Sequence, residues 1–326
     1  MRVIRITRFG GPEAFAEADI PPPAMGPNDL LIRVHAAGVN RADLLQRRGL
    51  YPPPAGFDPM LPGLEYAGIV EKAGAHTSLR RPGDRVMGLV AGGAYAQYLV
   101  VNERETLAIP DSASYSEAAA IPEAFLTAYR ALFDLGGLTA GDSCLIRAAT
   151  SSVGIAACQL AHWSGAVVIG TSRSSSRLAR LEKLGLSYGC VDGEGSLVKR
   201  VRASAAFGVE VVLDLLGGGH LQDNLHCLRD EGRLVLVGML AGTDGRFDLA
   251  TALMRRLSVQ GMTMRSLPLE RRIDLVRRFE RHILPLFDTK IIWPVLDDVY
   301  DWSDATAAHE RMESGRHFGK IVLSLS

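Results

Sequence analysis

A turn of small residues, ATSSVG (149–154), is the segment best suited to bind a phosphate group. It follows the apolar run SCLIR (143–147) and precedes a second apolar run, which is the strand–turn–helix order of a dinucleotide-binding unit. Only the last glycine of a G-x-G-x-x-G pattern is present, and it would let the helix pack closely against the strand. The alternative is a strand-to-helix turn that binds no ligand. If the turn binds a pyrophosphate at the helix N-terminus, the expected contacts are Ser151, Ser152, Val153 and Gly154.

A second polar segment, TSRSSSR (171–177), follows the next predicted strand. An NAD-selective site normally places Asp or Glu here to accept a hydrogen bond from the ribose 2′-hydroxyl, but the first acid downstream is Glu182. Guanidinium groups and hydroxyls suit a 2′-phosphate instead, so the sequence predicts NADPH as the cofactor. The alternative is that the serines cap the following helix and the arginines are solvated. The expected contacts are Ser172, Arg173, Ser174 and Arg177.

Other site chemistries lack support in the sequence. The four cysteines, Cys144, Cys158, Cys190 and Cys227, form no CxxC pair, which fits neither a disulfide framework nor clustered metal ligands. The eight histidines form no HExxH element, and no G-x-S-x-G follows a strand. A reducing compartment is expected, and a serine hydrolase or a clustered metal site is not.

Charge and hydropathy exclude further classes. Basic and acidic residues number 36 each, so no global field favours nucleic acid or an anionic membrane. The N-terminus lacks the apolar core of a signal peptide, and no window of about 18 apolar residues could span a bilayer. We therefore expect a cytoplasmic protein of 326 residues, a length typical of two domains.

Two patterns of periodicity divide the chain. Up to about residue 120, short alternating strands are separated by Pro- and Gly-rich loops, which predicts a compact, mostly β domain. Beyond it, helices alternate with short Val/Ile/Leu-rich runs, which predicts a doubly wound parallel sheet with its ligand at the carboxyl ends of the strands. The segment 268–283 predicts an amphipathic helix with Leu269, Ile273, Val276 and Phe279 on its apolar face.

The chain resembles the zinc-independent quinone oxidoreductase group of the medium-chain dehydrogenase/reductase superfamily over nearly its whole length. Within that group it is most similar to the p53-inducible type. The resemblance rests on GVNRADLLQRRGLYPPP (38–54), PGLEYAGIV (62–70), GDRVMGL (83–89), GGAYAQYLVV (92–101), AAAIPEAFLTAYRAL (118–132), SSVGIAACQLA (151–161), ILPLF (283–287) and FGKIVL (318–323).

The resemblance implies an α/β fold with two domains. A GroES-like, mostly β catalytic domain would comprise residues 1–121 and 266–326, and a doubly wound parallel-sheet Rossmann domain would bind NADPH through residues 122–265. The active site would lie in the cleft. A homodimer is expected, with the edge strand LSVQGMTM (257–264) as the candidate for pairing, because an exposed apolar edge is otherwise a liability.

The resemblance also bears on metal binding. Zinc-using relatives have a catalytic Cys in a C-x-[ST]-D element and a His in a G-H-E element. Here these elements are Asn40-Arg41-Ala42-Asp43 and Gly63-Leu64-Glu65, so we expect no zinc. Without that Lewis acid, the substrate should accept hydride without strong polarisation of its carbonyl group.

The site residues implied by the resemblance fall into two groups. Asn40 would donate to the acceptor oxygen and Tyr51 would orient it or relay a proton, although Tyr51 could equally be a lid or packing residue. Structural hydrogen bonds or ion pairs are favoured for Asp43 and Glu65. The expected cofactor contacts outside the two polar segments are Thr127, Gly238, Met239, Leu240, Phe318, Gly319 and Lys320.

Two residues depart from the family pattern. Ser152 stands where relatives have glycine and adds bulk beside the pyrophosphate. Asp192 stands where the family often has Tyr, so that a carboxylate would face the 2′-phosphate.

The function expected is an NADPH-dependent, zinc-independent reductase that transfers a hydride to quinones or similar electron-poor conjugated carbonyls. One alternative is an enoyl reductase that acts on thioesters or enones in a biosynthetic pathway, because the same scaffold serves both. Another is a non-catalytic NADPH-binding regulatory protein, an alternative suggested by the altered glycine turn.

Overall fold

The computed structural model describes residues 1–325, which form two compact units. Unit 1 comprises Met1–Leu126 and the segment from Met264 onward, and unit 2 comprises Thr127–Thr263. The sequence predicted a catalytic domain of residues 1–121 and 266–326 and an NADPH-binding domain of residues 122–265. Their boundaries differ by a few residues from those of the two units, and their functions stay a prediction. Among the described residues, no helix combines the length and apolar character needed to cross a membrane.

Within residues 1–325 the strands are β1 (Arg2–Ile6), β2 (Phe15–Asp19), β3 (Asp29–Val39), β4 (Glu65–Ala73), β5 (Arg85–Leu89), β6 (Tyr98–Asn102), β7 (Thr106–Ala108), β8 (Ser143–Ile146), β9 (Val167–Ser172), β10 (Tyr188–Val191), β11 (Val209–Asp214), β12 (Leu228–Leu236), β13 (Ser258–Gly261), β14 (Leu296–Asp301) and β15 (Lys320–Ser324). The α-helices are α1 (Arg41–Arg47), α2 (Tyr115–Ala118), α3 (Pro122–Tyr129), α4 (Ser152–Trp163), α5 (Ser175–Glu182), α6 (Leu197–Ser204), α7 (Leu221–Cys227), α8 (Leu249–Met254), α9 (Leu269–His282), α10 (Pro285–Asp288) and α11 (Ala305–Glu313).

Unit 1 is built around a sheet with strand order β14-β15-β3-β4-β5-β7, and β6 also pairs with β3. Along β3, Leu30, Ile32 and Val34 are buried and alternate with more exposed residues, as expected of a strand with one face on the core. The late strand β15 pairs antiparallel with β3, with Ile321 opposite Val39. This register brings the start of β15 beside the residue that follows β3.

Unit 2 contains a parallel sheet with strand order β10-β9-β8-β11-β12-β13. Consecutive residues of β8, from Cys144 to Ile146, are buried, as expected when helices cover both faces of a sheet. Numbered along the chain this order is 3-2-1-4-5-6, the doubly wound arrangement, and it confirms the α/β fold class predicted from the sequence. The strand order is built outward in opposite directions from β8 and β11, so a ligand is expected at the carboxyl ends of these two strands.

The amphipathic helix differs from its prediction at one position. In α9, Ile273, Leu275, Val276 and Phe279 are buried, whereas Leu269 is 41% exposed. Leu269 is the first residue of the helix, and the burial of the apolar face begins one turn later. The predicted apolar face is therefore buried from Ile273 onward, and Leu269 at its N-terminal end is partly covered.

Candidate functional site

The predicted phosphate turn lies between β8 and α4 in unit 2. Ser151 caps the helix, with its Oγ accepting from the Gly154 N–H at 3.1 Å. A Cβ on Gly154 would lie 2.6 Å from the carbonyl oxygens of Ala148 and Ala149, so the close approach of helix and turn requires glycine, as predicted. The N–H groups of Ser152 and Val153 lie in the first helical turn, where no intrahelical acceptor exists, and suit an anion.

The second polar segment is tied to this turn. The Oγ of buried Ser172 lies 3.1 Å from Thr150 Oγ1 and accepts from the Ser174 N–H at 3.2 Å. Ser174 caps α5 by accepting from the Arg177 N–H, so the capping alternative is correct for this serine. Arg173 is exposed and forms no ion pair within residues 1–325, and Arg177 is half-buried.

A buried arginine that the sequence analysis missed lies directly after β8. The guanidinium of Arg147 donates to Thr171 Oγ1 at 3.2 Å, to Asn224 Oδ1 at 2.8 Å and to Asp192 Oδ1 at 3.2 Å. It also donates to His220 Nδ1 at 3.1 Å, because arginine has no acceptor atom. Asp192, the departure that seemed to face a 2′-phosphate, is therefore an ion-pair partner within the protein.

The cofactor candidates Gly238, Met239 and Leu240 follow the carboxyl end of β12. The Gly238 N–H donates to the carbonyl of Asp214, and the Leu240 N–H to that of Leu215, so Met239 lies in a loop beside the end of β11. Buried Asp214 uses Oδ1 to accept from the N–H groups of Leu216 and Gly217, which is a turn-capping role.

Two buried oxygens of unit 2 remain without a partner. Thr127 Oγ1, on α3, belongs to a predicted cofactor contact, and neither it nor Asp214 Oδ2 has a hydrogen-bond partner among the described residues. An unpartnered buried polar atom is costly unless a ligand or water satisfies it. Together with the helix N-terminus and the exposed Arg173, these atoms fit a dinucleotide.

In unit 1, Asn40 joins a buried network instead of an open surface. Its amide Nδ2 donates to Glu65 Oε1 at 2.8 Å, and its Oδ1 accepts from Lys320 Nζ at 2.6 Å. Lys320 also forms an ion pair with Glu65, and all three side chains are buried. One of the two N–H bonds of the Asn40 amide therefore serves Glu65, and the donation to an acceptor oxygen expected of Asn40 stays a prediction.

The structural roles predicted for the two acids are confirmed. Asp43 accepts from the N–H groups of Asn40 at 2.8 Å and Gly63 at 3.0 Å, and the first of these forms the capping box of α1. Burial raises the pKa of the Asp43 carboxyl to about 6. Glu65 binds Lys320 and Asn40 and also accepts from the Glu123 N–H at 2.8 Å. Within residues 1–325, no cluster of three His, Cys, Asp or Glu residues is suited to a metal ion.

The segment Phe318–Lys320 packs into unit 1. Phe318 is buried and its N–H donates to Asp297 Oδ1 at 2.8 Å. Gly319 has φ +99°, and a Cβ there would lie 2.3 Å from the Val295 carbonyl, so this position requires glycine. The contacts with a cofactor expected of these three residues stay a prediction, and the ammonium of Lys320 is already engaged.

Tyr51 lines a cleft within unit 1 together with Leu64, Val90, Glu123 and Arg265. The Arg265 guanidinium lies over the Tyr51 ring, 5.3 Å from its centroid, and donates to the Tyr51 carbonyl at 2.9 Å. Burial and the nearby charge of Glu123 raise the pKa of the Tyr51 hydroxyl. Of the two residues predicted on the substrate side, Tyr51 lines this cleft and Asn40 does not.

Glu123 and Arg265 are the cleft residues that the sequence analysis did not select. Glu123 lay inside the family segment 118–132, but no spacing rule distinguishes it from a helix-capping acid. Arg265 lay in the loop before the arginine-rich helix α9 and looked like one more solvated cation. Only the folded arrangement places both beside Tyr51.

Two family models match the chain. The model described as "Zinc-binding dehydrogenase" matches residues 152–281, and the model described as "Alcohol dehydrogenase GroES-like domain" matches residues 26–111. The first description names zinc, whereas in this chain Asn40 and Leu64 stand at the two catalytic ligand positions.

Curated relatives match over the whole chain. Synaptic vesicle membrane protein VAT-1 homolog of Rattus norvegicus is 31% identical over an alignment of 341 positions, which covers 99% of this chain and 84% of the relative. Quinone oxidoreductase of Rattus norvegicus is 30% identical over 334 positions, which covers 100% of this chain and 98% of the relative.

Solved structures agree with this similarity. A crystal structure of an NAD-dependent alcohol dehydrogenase superposes with a TM-score of 0.90 at 30% identity, covering 100% of both chains. The structure of Escherichia coli quinone oxidoreductase complexed with NADPH superposes with a TM-score of 0.88 at 28% identity, also covering 100% of both chains.

The buried ion pair generates a stability prediction. Lys320→Met leaves the Glu65 carboxylate buried without its cation, and we expect the free energy of unfolding to fall by about 3–5 kcal/mol. Urea denaturation followed by circular dichroism measures it. The double variant Lys320→Met/Glu65→Gln should recover part of the loss, because it removes the buried charge. A single variant within about 1 kcal/mol of the wild type would contradict the assigned role.

Proposed function

Because the chain belongs to the medium-chain dehydrogenase/reductase superfamily, in its quinone oxidoreductase group, we propose that it is an NADPH-dependent reductase of quinones or similar electron-poor conjugated carbonyls. The observation that carries the proposal is the Asn40–Lys320–Glu65 network. It includes one residue from each sequence element that holds catalytic zinc in relatives, Asn40 and Glu65, and the ligand positions themselves are occupied by Asn40 and Leu64. The acceptor must then take a hydride without a Lewis acid on its oxygen.

The arrangement of unit 2 supports NADPH as the cofactor, which supplies the hydride when bound. Ser151, Ser152, Val153 and Gly154 would hold the pyrophosphate, with the Ser151 hydroxyl hydrogen still available to donate. Thr127 and Gly238–Leu240 would face the nicotinamide end.

The charges around the adenosine end also favour a 2′-phosphate. Arg173 and Arg177 follow β9, and Asp192 is paired with Arg147, so its negative charge is balanced by a buried cation. This pairing removes the objection that Asp192 raised against NADPH. The similar Escherichia coli quinone oxidoreductase was solved with NADPH.

The cleft of unit 1 supports the choice of acceptor. Leu64, Leu89 and Val90 give it apolar walls, and Tyr51 offers an aromatic ring and a hydroxyl. A flat conjugated carbonyl compound suits such walls, and we propose that Tyr51 orients its oxygen. An enoyl thioester or enone offers the same reacting atoms and is the second candidate.

The location and assembly of the protein are further proposals. The four cysteines are free and buried, which suits a reducing compartment such as the cytoplasm. For a homodimer, β13 is the edge strand of the parallel sheet and its residues are exposed. The neighbouring helix α8 exposes Leu249, Leu253 and Met254, an apolar surface that a second copy would cover.

The reductase proposal predicts turnover. Purified protein with NADPH should reduce a simple quinone faster than the reaction without enzyme and faster than it reduces an enoyl thioester, since the apolar walls of the cleft suit a flat conjugated ring. NADPH oxidation followed at 340 nm measures both rates. A quinone rate equal to the enzyme-free control would sink the proposal, and turnover of any acceptor would eliminate a purely regulatory role.

The cofactor assignment predicts a selective effect of two arginines. Arg173→Ala and Arg177→Ala should each weaken NADPH binding about tenfold or more, equivalent to ~1.4 kcal/mol, and leave NADH binding nearly unchanged. Fluorescence titration with each nucleotide measures both. Arg180→Ala, in the last turn of the same helix, is the matched control. Equal losses for NADH and NADPH would contradict a 2′-phosphate contact.

The dimer proposal predicts that a negative charge placed in the proposed interface will separate the two copies. Leu253 and Met254 are 77% and 74% exposed in the single chain, so Leu253→Glu/Met254→Glu should leave the fold intact and give a monomer. Size-exclusion chromatography with light scattering measures the mass. Phe207→Glu, at an exposed apolar position outside α8 and β13, is the control. A wild-type protein of monomeric mass would refute the proposal.

A further inference from the structure

The carboxyl group of Glu123 borders the cleft without a hydrogen-bond donor. Its backbone N–H is bonded to Glu65, but within residues 1–325 no side chain or N–H group donates to its carboxylate. Glu65, in contrast, is held by Lys320, Asn40 and the Glu123 N–H. Glu65 is therefore fully partnered, whereas the carboxyl group of Glu123 borders the cleft proposed for the acceptor.

We propose that Glu123 donates the proton that the acceptor oxygen takes up during reduction. This inference rests on the proposed reductase function and names a catalytic residue for it. The acceptor gains a hydride, with its electron pair, from the reduced nicotinamide, which is thereby oxidised. The O–H bond of Glu123 breaks as a new O–H bond forms on the acceptor, and Glu123 is left as a carboxylate that regains a proton from water.

Burial and two neighbouring carboxylates favour the protonated form of Glu123. Burial raises the pKa of its carboxyl to about 7, and the charges of Glu65 on β4 and Asp43 on α1 act in the same direction. Lys320 on β15 and Arg265 oppose the increase. A carboxylic acid that titrates near the working pH is well suited to general acid catalysis.

The other polar groups of the cleft are less suited to this step. Burial raises the pKa of the Tyr51 hydroxyl above its ordinary value, so it gives up its proton less readily than Glu123. Arg265 uses its three guanidinium nitrogens to donate to Ala91, Tyr51 and Gln46. Arg272 donates to Glu105 and remains a cation at any working pH. Glu123 is therefore the lining group able to release and regain a proton.

Kinetics of Glu123→Gln test the role, since the variant keeps the size of the side chain and removes its acidic proton. We expect kcat to fall by roughly 100-fold below pH 7, with the KM of the acceptor and the binding of NADPH changed less than about threefold. In the wild type, kcat should decline as the pH rises through about 7, because the protonated donor is lost. The glutamine variant should lack this decline, and Glu123→Asp should retain it.

Glu117→Gln is the matched control. Glu117 lies on α2 and accepts from Ser114 and from the Trp293 indole, away from the residues that line the cleft. Glutamine also serves in a capping box, so this variant should keep the wild-type kcat and pH profile.

A measurement without turnover gives a second test. In protein labelled with ¹³C at glutamate carboxyls, one signal should titrate near neutral pH and vanish in Glu123→Gln. Wild-type kcat in Glu123→Gln, or no such signal in the wild type, would overturn the role while leaving the reductase proposal intact. A wild type that binds NADPH but reduces no acceptor would overturn the proposed function, and this role with it.

Discussion

The structure of unit 1 depends on burying the ammonium of Lys320. A buried cation is costly unless its partners are in place, and here they come from two other strands: Asn40 follows β3 and Glu65 begins β4. The antiparallel pairing of β15 with β3 sets Lys320 at the required position, with Ile321 opposite Val39. A shift of register by one residue would turn Lys320 to the other face and leave Glu65 buried without its cation. The network thus fixes where the end of the chain joins the sheet.

Unit 2 uses a buried cation in a comparable way. Arg147 leaves β8 and binds groups from the ends of other elements: Thr171 on β9, Asp192 after β10 and Asn224 on α7. These are the ends that face a ligand in a doubly wound sheet, where loops alone would be mobile. The guanidinium therefore holds this edge in shape, and its pairing with Asp192 also sets the local charge that a phosphate would meet. One residue serves both the shape and the electrostatics of the candidate site.

Local patterns in the sequence predicted the fold and the position of the phosphate turn, but they did not predict the side-chain contacts of the candidate site. Period-two alternation predicted the mostly β domain, and helices alternating with short apolar runs predicted the parallel sheet. Gly154 was assigned to close packing because that need is local to one turn. Arg147, Glu123 and Arg265 were missed, because each acquires its role only from residues distant in sequence. The partner of Asn40 was missed for the same reason, because Lys320 lies 280 positions later in the sequence.

Glu65 and Glu123 lie in one cluster but have different roles: Glu65 forms a structural ion pair, and Glu123 is the proposed proton donor. The single ammonium of Lys320 forms an ion pair with Glu65, so this buried carboxylate has a cation in direct contact. Glu123 is left with the repulsion of a neighbouring carboxylate and with little solvent, and both favour its protonated form. Removing the ammonium would not only unpair Glu65 but also strengthen the field that acts on Glu123. The charge of Lys320 therefore contributes both to the stability of the sheet and to the proton affinity of Glu123, which burial and Glu65 raise.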